Sequence, residues 1–155
     1  MKIKTTLADI ILEILTLAAL IGPLVYLLVT WSSIPAKIPM HYNFAGEIDR
    51  WGGKGEIIIL VVIPWLLYFP ITLIERFPQI WNTGVEVTEK NRVQVYRTLK
   101  YMVKTLKFSI ALIFAYLILI TASGMSLPGW FLPAVVIIEF GNIAFWLVRL
   151  FRLRK

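Results

Sequence analysis

The chain contains no cysteine and a single histidine, and only 16% of its 155 residues are charged. Without cysteine there is no disulfide framework, no thiolate metal site and no cysteine nucleophile. An ordinary soluble domain carries about 25% charged residues, most of them on its surface. Here hydrophobic residues reach 59% and the mean hydropathy is +0.78. A chain this short has too little interior to hide so much apolar surface from water. That excludes a soluble globular enzyme and a disordered tail. The apolar surface must face lipid.

Four stretches have the length and apolarity of transmembrane helices: 7–29, 57–74, 106–123 and 129–148. Each supplies about the 17–25 residues needed to cross a hydrocarbon core of ~30 Å. The first is too long and too poorly flanked to read as a cleaved signal peptide, so it is expected to remain. Helix is enforced in lipid because unpaired backbone groups cost several kcal/mol there. Pro23, Pro64, Pro70 and Pro133 therefore need local repair, with bends rather than breaks expected at Pro64 and Pro70. The fold class this predicts is an all-α, four-helix polytopic membrane protein forming one membrane domain over 1–155.

The net charge of +7 and a pI of 9.8 invite a nucleic-acid reading, which the distribution of the charge removes. Lysine and arginine number thirteen across the two termini and the 75–105 connection with Lys107, against three in the 31–56 connection. The positive-inside rule then places both termini in the cytoplasm and residues 31–56 outside the cell membrane. Within the cytoplasmic connection, 88–105 carries Val95, Tyr96, Leu99, Met102 and Val103 at helical period. Arg97, Lys100, Lys104 and Lys107 form the adjacent stripe. Such a helix suits anionic headgroups at a membrane surface, or is a cytoplasmic helix whose charges follow topology. It is expected to run into the third membrane helix as one rod.

The outer connection holds the densest chemistry. It gathers His41, Asn43, Glu47, Asp49, Arg50 and Lys54 into a segment punctuated by glycine. Pro35 and Pro39 keep the chain extended. Residues 40–44 alternate as a short strand would, Gly46 permits a turn, and Gly52-Gly53 a second one. Trp31 and Trp51 fall at positions suited to a membrane interface. The pattern Ile34-Pro35-x-x-Ile38-Pro39-x-His41-x-Asn43-x-x-Gly46-x-x-Asp49-x-Trp51-Gly52-x-Lys54 resembles the signature loop of a bacterial and archaeal membrane domain of unknown function. That domain forms the N-terminal part of the SdpI-like membrane proteins, among them the immunity protein against the sporulation-delaying-protein toxin. The resemblance covers residues 15–73, and what it implies is a short form expected to lack the C-terminal part of longer members.

What the resemblance implies is a non-enzymatic module that binds an extracytoplasmic ligand such as an antimicrobial peptide. His41, Asn43, Gly46, Asp49, Trp51 and Lys54 would form the recognition loop. The residues themselves leave other readings open. Asn43 and Asp49 serve equally well as turn formers in a purely structural loop. His41 with Asp49 could act as a general base toward Ser32 or Ser33, a membrane-embedded hydrolase. One histidine and two separated carboxylates are a poor metal set, so no metal and no cofactor is expected.

Within the membrane, Glu139 lies about ten residues from either end of the fourth stretch, near the bilayer midplane. A charged carboxylate there costs about 2.5–3.5 kcal/mol on insertion scales, so it should face the bundle, protonated or paired. Asn142 shares its face, and Tyr116, Thr121 and Ser109 are candidate partners. An acid at this depth supports a small transporter or ion-coupled protein, or else serves as helix glue, including across a homodimer. Asp9 and Glu13, one turn apart, are expected to pair with Arg149, Arg152 or Arg76. Membrane lipids are the remaining expected partner.

Overall fold

The computed structural model describes residues 3–154. Four helices long and apolar enough to cross a membrane are present, and the chain is built as a multi-pass membrane protein. In order, the elements are α1 (Leu7–Thr30), β1 (Lys37–Tyr42), β2 (Ile48–Gly53), α2 (Ile58–Glu75), α3 (Arg92–Ala122) and α4 (Phe131–Phe151). The hairpin of β1 and β2 covers one end of the bundle. The other end carries both termini and is called the terminal end below.

Helix α3 is the central rod. Helices α1, α2 and α4 all pack on it, whereas α1 and α2 scarcely touch each other. Its 31 residues span about 46 Å at 1.5 Å per residue, longer than a ~30 Å hydrocarbon core. The amphipathic segment and the third span are thus one continuous helix, as expected. It begins at Arg92 rather than near residue 88, because Asn91 and Thr88 hydrogen-bond each other's backbone in the preceding turn.

The prolines are accommodated without interruption. Pro23 lies inside α1, and both Pro64 and Pro70 lie inside α2. Pro133 needs no repair: it is the third residue of α4, in the first turn, where its missing N–H would have no intrahelical acceptor. Helix α1 starts with a capping box in which Asp9 Oδ2 accepts from the Thr6 backbone N–H at 2.8 Å and Thr6 Oγ1 accepts from the Asp9 N–H at 3.3 Å.

Two apolar clusters bind the ends. At the hairpin end, Leu27, Ile34, Ile38, Ile57, Val61 and Ile118 pack together, joining α1, the hairpin, α2 and α3. At the terminal end, Val85, Val95, Leu99 and Leu150 join the α2–α3 connection to α3 and α4. The apolar stripe predicted on the amphipathic segment therefore does pack inward at Val95 and Leu99.

Candidate functional site

The hairpin is antiparallel, with Lys37 opposite Gly53, Pro39 opposite Trp51, His41 opposite Arg50 and Tyr42 opposite Ile48. The register shifts on either side of His41, so each strand carries one extra residue, Met40 on β1 and Asp49 on β2. The strand lies over Lys37–Tyr42 rather than 40–44. It stops there because the Asn43 side chain starts the turn, its Oδ1 accepting from the Ala45 N–H at 2.9 Å and the Glu47 N–H at 3.0 Å. Pro39 is tolerated because both strands of a two-stranded sheet are edges.

The tip is fastened to the bundle. The Leu127 N–H donates to the Gly46 carbonyl at 2.9 Å. Gly46 has φ +84°, and a Cβ there would collide with the Leu127 carbonyl oxygen. The position therefore requires glycine for both conformation and space. Tyr42 Oη donates to the Met125 carbonyl at 3.2 Å and lies 3.3 Å from Thr121 Oγ1. Burial pushes the Tyr42 phenol above its ordinary value, with Tyr116 adding to this and the Thr121 hydroxyl opposing it. It stays a neutral donor at physiological pH.

Three of the six recognition-loop residues are thus committed to structure. Asn43 makes the turn and donates to Glu47 Oε2 at 2.8 Å, and Gly46 allows the docking. Lys54 donates to the Trp31 carbonyl at 3.2 Å, with its ammonium 4.9 Å from the centre of the Trp31 ring. The other three are presented to solvent. His41 Nδ1 and Asp49 Oδ1 are 2.6 Å apart, with 65% and 44% of their side chains exposed. Trp51 is exposed nearby on β2, and Phe44 at the turn is 96% exposed. Arg50 pairs with Glu56 at 3.2 Å beside them. The hairpin therefore exposes an ordered His–Asp pair and, on the same hairpin, the rings of Phe44 and Trp51, with the imidazole Nε2 making no hydrogen bond among the described residues. No hydrogen bond joins Ser32 or Ser33 to His41 among the described residues, and no three His, Asp or Glu residues there gather as a metal site would.

At mid-membrane depth, Glu139 and Asn142 separate. Asn142 Oδ1 accepts from Thr105 Oγ1 at 2.9 Å, and the Trp146 indole donates to the same Thr105 oxygen at 2.9 Å. Glu139 Oε1 is buried without a hydrogen-bond partner. Its expected partners are engaged elsewhere: Tyr116 stacks on Phe131 at 5.0 Å, Thr121 faces Tyr42, and Ser109 donates to the Leu106 carbonyl.

The terminal end departs furthest from expectation. Asp9 and Glu13 do not pair with Arg149, Arg152 or Arg76. Their partners are on α3: Lys100 Nζ is 3.0 Å from Asp9 Oδ2, and Lys104 Nζ is 2.8 Å from Glu13 Oε2. Lys107 Nζ reaches Glu13 Oε2 at 3.0 Å, Glu75 Oε1 at 2.9 Å and Thr72 Oγ1 at 3.1 Å, over the Tyr68 ring. Tyr68 in turn donates to Glu13 Oε1 at 2.6 Å. The lysine stripe of α3 is therefore no lipid-surface face: Lys107 is only 3% exposed and Lys100 and Lys104 are buried. The stripe turned inward because α1 and α2 each bring carboxylates to it, and long buried charges persist only when paired. Glu75 was not singled out from sequence. Its position as the last residue of an otherwise uncharged span, with Lys107 inside the next one, was the available signal.

Comparison with known proteins bears on the front of the chain. A family model described as a domain of unknown function, DUF1648, matches residues 18–64, which run from α1 through the hairpin into α2. An uncharacterized protein of Archaeoglobus fulgidus is 35% identical over 65 residues, covering 37% of this chain and 36% of that protein. The chain thus spans little more than a third of the length of the curated relative it matches. No solved structure matches.

Proposed function

We propose that this multi-pass protein is a membrane-bound recognition module that presents its hairpin outside the cell and binds an amphipathic peptide there, as an immunity or signalling protein would. The observation that carries the reading is the exposed His41–Asp49 pair at 2.6 Å, on a hairpin fastened to the bundle that also exposes the rings of Phe44 and Trp51. Charged partners left in water at a fixed separation contribute little to stability. Their ordered presentation beside apolar rings suits a ligand with polar and apolar faces. The outward orientation of the hairpin rests on the thirteen-to-three distribution of basic residues. Both termini then lie in the cytoplasm, and the role is binding rather than catalysis.

The test compares killing of cells by a panel of cationic amphipathic peptides with and without the protein. Protection is expected, and His41→Ala or Asp49→Ala should remove it at unchanged protein level in the membrane. Equal killing with and without the protein across the panel contradicts the reading, as does loss of the variants from the membrane instead of loss of protection.

A further inference from the structure

The two edges of the β1–β2 hairpin are unequal. Strand β1 is buried at Ile38 and Pro39 and packs on α3 and on the helical turn Lys54–Ile57. Pro39 also lacks an N–H, so its outer edge has no donor at that point. Strand β2 packs to any extent only on β1, and its Asp49, Arg50, Trp51 and Gly53 are exposed.

The hydrogen bonds at the two ends of β2 show which backbone groups it turns outward. At the tip, the Asn43 N–H donates to the Glu47 carbonyl at 2.9 Å, so that carbonyl faces β1. In a trans peptide the N–H of the next residue points the opposite way, which sends the Ile48 N–H to the outer edge. At the base, the Lys54 N–H donates inward to the Ala36 carbonyl at 3.0 Å, and the Gly53 N–H donates to Glu56 Oε1 at 2.8 Å. Alternate residues of a strand share an edge. Trp51 stands opposite Pro39, which has no N–H to exchange with it, and so turns its N–H and carbonyl outward as Gly53 does. No acceptor among the described residues meets the N–H of Ile48 or Trp51. The extra residue Asp49 lies between them, so they stand three apart instead of two. Glu56 closes the edge at Gly53 and the Asn43 turn closes it at the tip. The stretch from Ile48 to Trp51 stays open.

Charge is graded along this edge. Lys37 and Lys54 lie at the base beside Gly53, and Arg50 is held by Glu56. The tip half carries the carboxylates of Glu47 and Asp49, which meet only the Asn43 amide and the His41 imidazole. Trp51 adds an exposed ring. The open stretch therefore offers main-chain donors and acceptors, acidic side chains and an apolar surface. An extended peptide with alternating cationic and apolar residues matches all three, because its backbone bonds the edge and residues two apart share a face. A peptide folded as a helix uses its backbone groups internally and leaves the edge unmet.

We infer that the ligand of the hairpin docks as a third strand along β2 between Ile48 and Trp51, with its cationic side chains toward Glu47 and Asp49 and its apolar ones toward Trp51. The inference rests on the peptide recognition proposed above and adds the bound conformation and sequence period of the ligand.

The test uses the full chain in phosphatidylcholine nanodiscs and two synthetic peptides of identical leucine and lysine content, one strictly alternating and one arranged at helical period. Retention on empty nanodiscs is subtracted. The alternating peptide should bind about tenfold more tightly, and an isotope-labelled carbonyl in it should show strand-type infrared absorption once bound. Methylating every second amide nitrogen separates the two edges of that peptide. One methylated set should bind about tenfold more weakly, and the other should bind unchanged. In the protein, Trp51→Pro removes both the side chain and the outward N–H, whereas Trp51→Ala removes the side chain alone. Because that N–H serves no bond to β1, the hairpin keeps its pairing. Trp51→Pro should bind about fivefold more weakly than Trp51→Ala, the size of one net backbone hydrogen bond. Tighter binding of the helical-period peptide overturns strand addition and leaves peptide recognition standing, as does equal loss from both methylated sets or equal binding by the two Trp51 variants. Binding of neither peptide above the empty nanodiscs contradicts recognition itself, and the strand mode with it.

Discussion

At the hairpin end the ion pairs His41–Asp49 and Arg50–Glu56 stand in solvent. At the terminal end Lys104 and Lys107 hold Glu13 and Glu75 with little contact with water. The separations are alike, 2.6–3.3 Å in both places, but the surroundings are not. An exposed pair is worth under about 1 kcal/mol, and either partner can be lost at little cost. Removing one partner of a buried pair strands the other, at about 3–5 kcal/mol. Geometry alone therefore does not say what a charge is for. The exposed His41–Asp49 pair adds little to stability, while Glu56 also accepts from the Gly53 backbone N–H at 2.8 Å; the α3 lysines tie α1 and α2 to the rod.

Substitutions sharpen this contrast. The largest effect is expected for Lys107→Met, which leaves Glu13 and Glu75 short of a cation. Denaturation in mixed micelles should show a loss of about 3 kcal/mol, the low end of the range because Lys104 still reaches both carboxylates. Adding Glu75→Gln to that variant should recover part of the loss, since it removes the stranded charge. If the double variant is the weaker of the two, packing and not charge is what Lys107 provides.

Gly46→Ala should cost about 1–3 kcal/mol by the same assay, through forced positive φ and the collision with Leu127. Its effect should be local, appearing as faster amide exchange in the hairpin while α3 stays protected. The smallest effect is expected for His41→Ala, within about 0.5 kcal/mol of the parent. A large destabilisation there would move His41 to the structural side of the comparison and remove the basis for hairpin recognition.

The four spans were legible because hydropathy over some twenty residues is a local property, and the continuous α3 because its helical period did not lapse at the membrane boundary. The hairpin was partly legible. Gly46 and the glycine pair marked its turns, and Asn43 was open to reading as a turn former, but the docking of Gly46 on Leu127 and the tie of Lys54 to Trp31 were not visible. Those two contacts depend on partners distant in sequence, whereas the Asn43 turn is made with Ala45 and Glu47 close by. The buried ionic cluster was not legible as such. Counting lysines by connection explains them all by topology, and so gives no reason to ask which way Lys100, Lys104 and Lys107 point. Asp9 and Glu13 invited arginine partners near the chain ends, yet their cations lie about ninety residues away on α3. Only the coincidence of a lysine stripe entering one span with carboxylates at the same depth in two others carried that information.

The account stands on the hairpin facing outward and the ionic end facing in. Because the chain has no cysteine, Phe44→Cys gives a single thiol at the most exposed point of the hairpin, and a membrane-impermeant maleimide reports its side directly. Labelling in intact cells, to the extent reached after lysis, is the predicted result. Labelling that appears only once the membrane is broken would place the hairpin in the cytoplasm and contradict the recognition role.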